Sequence, residues 1–111
     1  MPRPVYSTSF INHAGASSGL ISVVVPHGFV FVVKFLSWFG APSFGSQAVD
    51  FKSVTSGATF WHAHRAPLTT GSEQTFVTLA FNQGEEFGFD VNTPALDHVD
   101  LYAGGYALTI V

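Results

Sequence analysis

Apolar residues dominate the chain between Leu20 and Phe39, where Lys34 is the single formally charged residue. Pro26-His27-Gly28 interrupts this run with a pattern typical of a tight turn, because proline fixes φ and glycine tolerates a positive φ. A half-exposed strand alternates apolar with polar residues. The segment after the turn is instead large and apolar at nearly every position. We therefore expect both faces of this strand to be covered, one of them by a surface beyond the chain's own core.

Turn-forming residues recur roughly every 8 to 12 positions along the chain, a spacing typical of all-β proteins. The pattern predicts an all-β fold, an antiparallel, jelly-roll-like β-sandwich with about eight strands in one domain spanning residues 1–111. Residues 1–19 are expected to include an extended N-terminal arm and a loop. The predicted strands, in chain order, are Val5–Ile11, Leu20–Val25, Phe29–Phe39, Gln47–Val54, Thr59–Arg65, Gln74–Phe81, Glu86–Val91 and Val99–Val111.

Strict alternation divides the long third strand into two faces. The face expected to lie in the core carries Phe29, Phe31, Val33 and Phe35. The face expected to contact another copy of the chain carries Val30, Val32, Lys34, Leu36 and Trp38. In the last strand, Gly104-Gly105 predicts a bulge that resets the register.

The amino-acid composition favours burial between copies. Apolar residues make up 47% of the 111 residues and charged residues 10%, against about 25% charged residues in an average soluble domain. The chain has 12 phenylalanines, and aromatic side chains are enriched at protein interfaces. We expect part of this aromatic content, including Trp61, to lie at contacts between copies. An unusually apolar monomer core is the alternative.

Charge and cysteine content exclude several classes of function. The formal net charge is −3 and the four basic residues are spread along the chain, so no basic cluster is available to bind nucleic acid or an anionic membrane surface. The absence of cysteine excludes disulfides and cysteine-based zinc sites. The apolar run from Leu20 to Phe39 is rich in Val, Ile and Phe, which favours strands over a membrane helix. Without a signal-peptide pattern, a soluble protein made in the cytoplasm is expected.

His62-Ala63-His64 is the sharpest candidate for metal binding. On a strand, both imidazoles project from one face about 7 Å apart, and paired imidazoles bind zinc, copper or iron. Cupins begin their metal site with such a motif, but here the next acidic residue is Glu73, beyond Pro67. The cupin pattern therefore fails at its second ligand, and we expect no cofactor. A subunit contact or a solvated face is the alternative role of the two histidines.

Aromatic residues suggest a second kind of binding site, one for carbohydrate. Trp61 and Tyr102 could stack on sugar rings, as aromatic side chains do in many carbohydrate-binding β-sandwiches; packing in the core or at an interface is the alternative. The sequence has no Gly-x-Ser-x-Gly elbow, Walker loop or dinucleotide fingerprint. We therefore expect a protein that is not an enzyme.

Four short motifs follow one another in the chain: VVVPHG, ATFWHAH, NQGEEFGF and, at the end, GGYALTIV. This order resembles small β-sandwich virion proteins of tailed bacteriophages, particularly those that infect actinobacteria. The resemblance implies a multi-copy structural component of the virion, made in the host cytoplasm, with no enzymatic activity. It leaves open a minor tail protein and a capsid decoration or other head protein.

The expected function is therefore assembly. Closed rotational symmetry is the usual way to cover an apolar patch shared by identical copies, so we expect a cyclic homo-oligomer, most simply a trimer, in contact with other virion proteins of the head or tail. Two alternatives stay open. One is a carbohydrate- or receptor-binding module at a tail tip, with a host-surface glycan as partner, and the other is a cupin-like metal-binding protein.

Overall fold

The computed structural model describes residues 8–16, 19–92 and 98–110, and they form β-strands joined by turns and loops. The strands, numbered in chain order, are β1 (Thr8–Ala16), β2 (Gly19–Val24), β3 (Phe29–Gly40), β4 (Gln47–Ser53), β5 (Thr59–Arg65), β6 (Gly71–Phe81), β7 (Glu86–Asn92) and β8 (His98–Thr109).

The strands form two four-stranded sheets, which we call the front and back sheets. The front sheet has the order β1-β8-β3-β6 and the back sheet the order β2-β7-β4-β5. All pairs are antiparallel, and β1 pairs with β8, β2 with β7, β3 with β6 and β4 with β5. This nesting is that of a long hairpin ribbon wound into a jelly roll. The predicted all-β antiparallel sandwich is confirmed.

Strand boundaries differ most near the N-terminus. A loop is predicted between the first two strands, whereas β1 continues to Ala16 and β2 begins at Gly19. Small residues such as Ala14 favour strands weakly, but the ladder with β8, in which Ala14 lies opposite Asp100, extends the strand through them. The described part of the predicted arm is therefore a sheet strand. Residues 5–7 of the predicted first strand lie outside the described residues.

The strands β4, β6 and β7 alternate between inward and outward residues. Their inward residues, all buried or packed on the core, are Val49, Phe51, Ser53, Val77, Leu79, Phe81, Phe87, Phe89 and Val91.

One end of the interior, which we call the aromatic end, is filled by phenyl rings. Phe87 stacks on Phe81 with ring centroids 4.2 Å apart, and its other ring neighbours are Phe51 at 5.8 Å, Phe10 at 6.1 Å and Phe31 at 6.4 Å. Edge-to-face and offset contacts of this kind add to the stabilisation from burial alone.

In the front sheet, the alternation of inward and outward residues is interrupted at one level. Where β8 carries Gly104 and Gly105, β3 has the extra residue Lys34 and β1 has the extra residue Phe10. The register shift is therefore where the sequence predicts it, but the extra residues belong to the neighbouring strands. A Cβ on Gly105 would lie 1.9 Å from the carbonyl oxygen of Val32, so only glycine permits this close approach.

From Phe35 onward, the bulge exchanges the inward and outward faces of β3. Leu36 and Trp38 are 0% and 1% exposed and belong to the core, so their predicted place on a contact face was wrong. Phe35 was predicted to face the core, but its ring lies against Phe76 and Tyr102 on the outer face. Strict alternation fails because Lys34 and Phe35 both project outward, which moves every later residue of the strand to the opposite face.

Candidate functional site

The bulge creates an aromatic cluster on the outer face of the front sheet, formed by Phe35, Phe76 and Tyr102. The ring of Phe35 lies 5.3 Å from that of Phe76 and 6.0 Å from that of Tyr102, centroid to centroid. The interplanar angles are 55° and 57°, so the rings form a ridged surface rather than a flat one. Phe76 is 85% exposed, which is unusual for a phenylalanine and marks the cluster as a candidate binding surface.

Polar groups border the aromatic cluster along the same face. Ser37 lies opposite Tyr102 on one side and Gln74 on the other. Lys34, at the bulge, donates a hydrogen bond from Nζ to Thr78 Oγ1 at 2.6 Å. The cluster is therefore an apolar centre with hydrogen-bonding groups at its edge, the usual anatomy of a protein interface.

Of the predicted contact face, Val30 is half-buried on the outer side of β3, and Val32, on the same side, is only 5% exposed. Val30 pairs with the exposed Leu108, and Val32 pairs with Tyr106 and with the exposed Ala80. Neither valine belongs to the core cluster. The role of Val30, Val32 and Lys34 in contacts between copies stays a prediction.

The other predicted aromatic residue, Trp61, lies on the back sheet. It is opposite Phe51 in the register with β4 and packs against the core. Its partly buried indole faces the interior, so the structure does not bring Trp61 and Tyr102 onto one surface. Stacking of a sugar on either ring alone stays a prediction.

The outer face of the back sheet carries exposed Leu20 and Val24 on β2 and is polar along β4 and β5, where the predicted histidine pair lies. The rings of His62 and His64 lie side by side, with centroids 5.8 Å apart, which confirms that they share a face. Asp50, the neighbour of His62 across the β4–β5 ladder, has Oδ1 2.5 Å from His62 Nδ1. Within the described residues, no group of three or more His, Asp or Glu side chains is placed to hold a metal ion. The arrangement is an exposed hydrogen-bonded pair with a second imidazole beside it.

The end of the interior opposite the aromatic end is polar, and we call it the clamped end. Trp38 Nε1 donates to Gln47 Oε1 at 3.1 Å inside the core. Arg65, only 2% exposed, projects inward beside them because Gln47 and Arg65 are opposite each other in the β4–β5 ladder. A buried guanidinium is costly unless its donors are satisfied, and here they hold the loop between β3 and β4.

The loop 41–46 is pinned by that guanidinium. Arg65 Nη1 donates to the carbonyl oxygen of Gly45 at 2.6 Å, and Nη2 donates to Ser43 Oγ at 3.0 Å. The backbone N–H of Leu68, a residue with a positive φ of 64°, donates to the carbonyl oxygen of Ser43 at 2.7 Å. Between the two pinned residues, Phe44 is 91% exposed. The clamp therefore presents a phenyl ring to solvent from a fixed backbone.

An open apolar cleft of about 370 Å³ lies at the aromatic end. It is formed where β1, β2 and β3 meet the end of β8, and its lining residues are Thr8, Ser9, Phe10, Val23, Pro26, Phe29, Phe31 and Ala107. The lining is mainly apolar and includes none of the His, Asp or Glu side chains described above. Its chemistry suits an apolar group rather than a charged substrate.

Sequence reasoning singled out neither Phe76 nor Arg65, although the alternation of their strands carries a signal for both. Phe76 occupies an outward position of β6, between Gln74 and Thr78, where a polar residue is expected. Arg65 follows Ala63 on the inward side of β5. Both residues are exceptions to the alternation that can be recognised in the sequence. Phe76 is a large apolar residue at an outward position, and Arg65 is a charged residue at an inward one.

Comparisons with known proteins add no relative. No protein-family model matches the sequence, and the search of curated proteins found no significant match. Among the residues described, the structure has no helix long and apolar enough to span a membrane.

Proposed function

We propose that this chain is a non-enzymatic structural protein of a tailed bacteriophage virion, present in many copies as a symmetric oligomer in the head or tail. The observation that carries the proposal is the aromatic cluster of Phe35, Phe76 and Tyr102, an apolar surface on the outside of the sandwich. An exposed cluster of aromatic side chains on a folded domain is typical of a contact surface. The assignment to a virion rests on the resemblance of the sequence motifs to those of phage virion proteins.

The polar pairs of the described residues support a structural rather than a catalytic role. Asp50 with His62 and His98 with Asp100 are both exposed pairs on sheet surfaces. Neither pair lines the apolar cleft. A general base acts on a substrate held in a defined pocket, and these pairs lie outside the one pocket described above.

The location of the chain in the phage particle tests the proposal. Particles of a phage that encodes the chain are purified, heads and tails are separated, and each fraction is analysed by quantitative mass spectrometry. The proposal predicts the chain in one fraction at a fixed multiple of a known structural protein, and a trimer predicts a multiple of three per symmetry site. A chain found only in the infected-cell lysate contradicts a virion role.

Carbohydrate binding at the same cluster is the second candidate, favoured by Tyr102 and its polar neighbours Ser37 and Gln74. A phenol ring beside hydroxyl and amide groups can stack on a sugar and bond its hydroxyls. A glycan array followed by titration calorimetry tests it. A binding glycan whose affinity is lost in Tyr102→Ala supports this candidate, and an array without binding removes it.

A further inference from the structure

The two outer faces of the sandwich differ in charge. On the back sheet, the charged side chains at outward positions are Asp50, Lys52, Glu86 and Asp90. Asp50 and Asp90 are direct neighbours across the β4–β7 ladder, so this face concentrates negative charge. Two copies that met through it would bring like charges together, which is unfavourable.

The outer face of the front sheet is nearly neutral. The formally charged side chains at its described outward positions are Lys34 and Asp100. Lys34 bonds Thr78, and Asp100 Oδ1 lies 2.8 Å from His98 Nε2. The aromatic cluster lies between the levels of these two groups. A surface of this kind meets a copy of itself without charge repulsion.

We propose that the outer face of the front sheet is a self-association surface, occupied by the same face of another copy of this chain, with Phe35, Phe76 and Tyr102 as its anchor. This inference rests on the proposed function and deepens it, since it names the partner and the surface through which the oligomer forms. Contact between the same face of two copies is two-fold symmetric, so it gives a dimer in place of the expected trimer. The contact face therefore no longer includes the core residues Leu36 and Trp38, and it includes Phe35, which the bulge turns outward.

The area of the face is sufficient for a stable contact. The front sheet has four strands, and β3 and β8 have 12 residues each. The other two strands, β1 and β6, have 9 and 11 residues. At about 3.4 Å per residue and about 4.8 Å between strands, the outer face covers roughly 720 Å². A standard protein interface buries about 800 Å² on each partner. The aromatic cluster extends from β8 across β3 to the edge strand β6, and its residue type is typical of an interface hot spot.

A matched pair of phenylalanine substitutions tests the surface. Phe76 and Phe44 are both highly exposed, at 85% and 91%, but only Phe76 lies on the proposed surface. Sedimentation equilibrium of the full chain at micromolar concentration is expected to give an oligomer. Phe76→Ser is expected to raise its dissociation constant about 30-fold, the effect of losing a hot-spot side chain. Phe44→Ser is expected to leave it unchanged.

Spin labelling gives a second measurement, which does not require a substitution that weakens the contact between copies. The chain has no cysteine, so a single label can be introduced at Gln74→Cys on the proposed surface or at Ser22→Cys on the exposed outer side of the back sheet. Electron paramagnetic resonance is expected to give a shorter distance between copies for the Gln74 label. Equal distances, or a shorter one for Ser22, contradict the proposed surface.

The outcomes separate this inference from the proposed function. A chain that stays monomeric at 100-fold higher protein concentration overturns self-association, as does an oligomer dissociated by Phe44→Ser but not by Phe76→Ser. A monomer that binds a glycan through Phe76 and Tyr102 assigns the face to carbohydrate instead. If such a monomer is nevertheless found in purified virions, the structural role stands and the self-association surface fails. An oligomer that depends on Phe76 but is absent from virions gives the reverse result.

Discussion

The aromatic end and the clamped end of this interior are stabilised by different forces. At the aromatic end, phenyl rings such as Phe81 and Phe87 pack on one another, and burial and dispersion have little directionality. At the clamped end, Trp38, Gln47 and Arg65 lie together and their side chains donate or accept directional hydrogen bonds. The same sandwich therefore depends on packed volume at one end and on hydrogen-bond geometry at the other.

The largest expected effect is at the aromatic end, in Phe87→Ala. The ring is fully buried among four others, so its removal leaves a cavity and should lower the free energy of unfolding by about 3–5 kcal/mol. Urea unfolding followed by intrinsic fluorescence measures the loss.

Phe87→Leu is the control for that prediction, because leucine restores much of the lost volume without an aromatic ring. If volume dominates, this variant should lose less than half as much stability as the alanine variant. Equal losses in the two variants would show that ring geometry matters, which would erase the contrast between the two ends.

At the clamped end, Arg65→Met keeps an unbranched apolar stem and removes the donors. The bonds from Nη1 and Nη2 to Gly45 and Ser43 are lost, and hydrogen bonds made by a charged group contribute roughly 1.5–3 kcal/mol. Removal of a buried charge offsets part of this loss, so we expect unfolding to become easier by about 2 kcal/mol, together with faster proteolysis within residues 41–46.

Arg65→Lys distinguishes geometry from charge at the same position. Lysine keeps the charge but lacks the planar fork that reaches two acceptors, so it should recover only part of the lost stability and protection from proteolysis. Wild-type stability in Arg65→Met would mean that this end, too, depends on volume alone.

An effect of similar or smaller size is expected from enlarging one small residue at each end. A Cβ at Gly71 would lie 2.2 Å from the Trp38 ring, so Gly71→Ala overpacks the clamped end and should cost about 1–3 kcal/mol. Ala107 lines the open cleft at the aromatic end, where Ala107→Val should change the free energy of unfolding by less than about 0.5 kcal/mol. Thermal unfolding of the two variants compares them directly, and equal losses would argue against a difference in packing tightness.

The pattern of the sequence predicts the aromatic end well and the clamped end poorly. Alternation in β4 and β7 is local, so Phe51 and Phe87 could be placed in the core without knowledge of any partner strand. The second half of β3 could not, because its face depends on Lys34 being an extra residue relative to β8. That bulge follows from the approach of Gly105 to a neighbouring backbone, which alternation within β3 does not encode.

The candidate site could not be predicted for the same reason, because it includes a residue from the second half of β3. Tyr102 was identified from its residue type, but its cluster with Phe35 and Phe76 depends on the inverted face of β3 and on the pairing of β3 with β6. Conversely, the shared face of His62 and His64 needed only the period of a single strand and was predicted correctly. Features within one strand were accessible from the sequence, whereas features that join three strands across a bulge were not.

The smallest effect is expected from Phe44→Ser, which tests whether the Arg65 hydrogen bonds or the phenyl ring order the loop 41–46. The phenyl ring is 91% exposed, while the residues on either side of it are held by Arg65 through Ser43 Oγ and the Gly45 carbonyl oxygen. If the clamp orders the loop, removing the ring should change the free energy of unfolding by no more than about 0.5 kcal/mol, and proteolysis within residues 41–46 should stay as slow as in the wild type. A loss comparable to that of Arg65→Met would mean that the ring itself packs the loop onto the sandwich, so that burial rather than bond geometry would govern both ends.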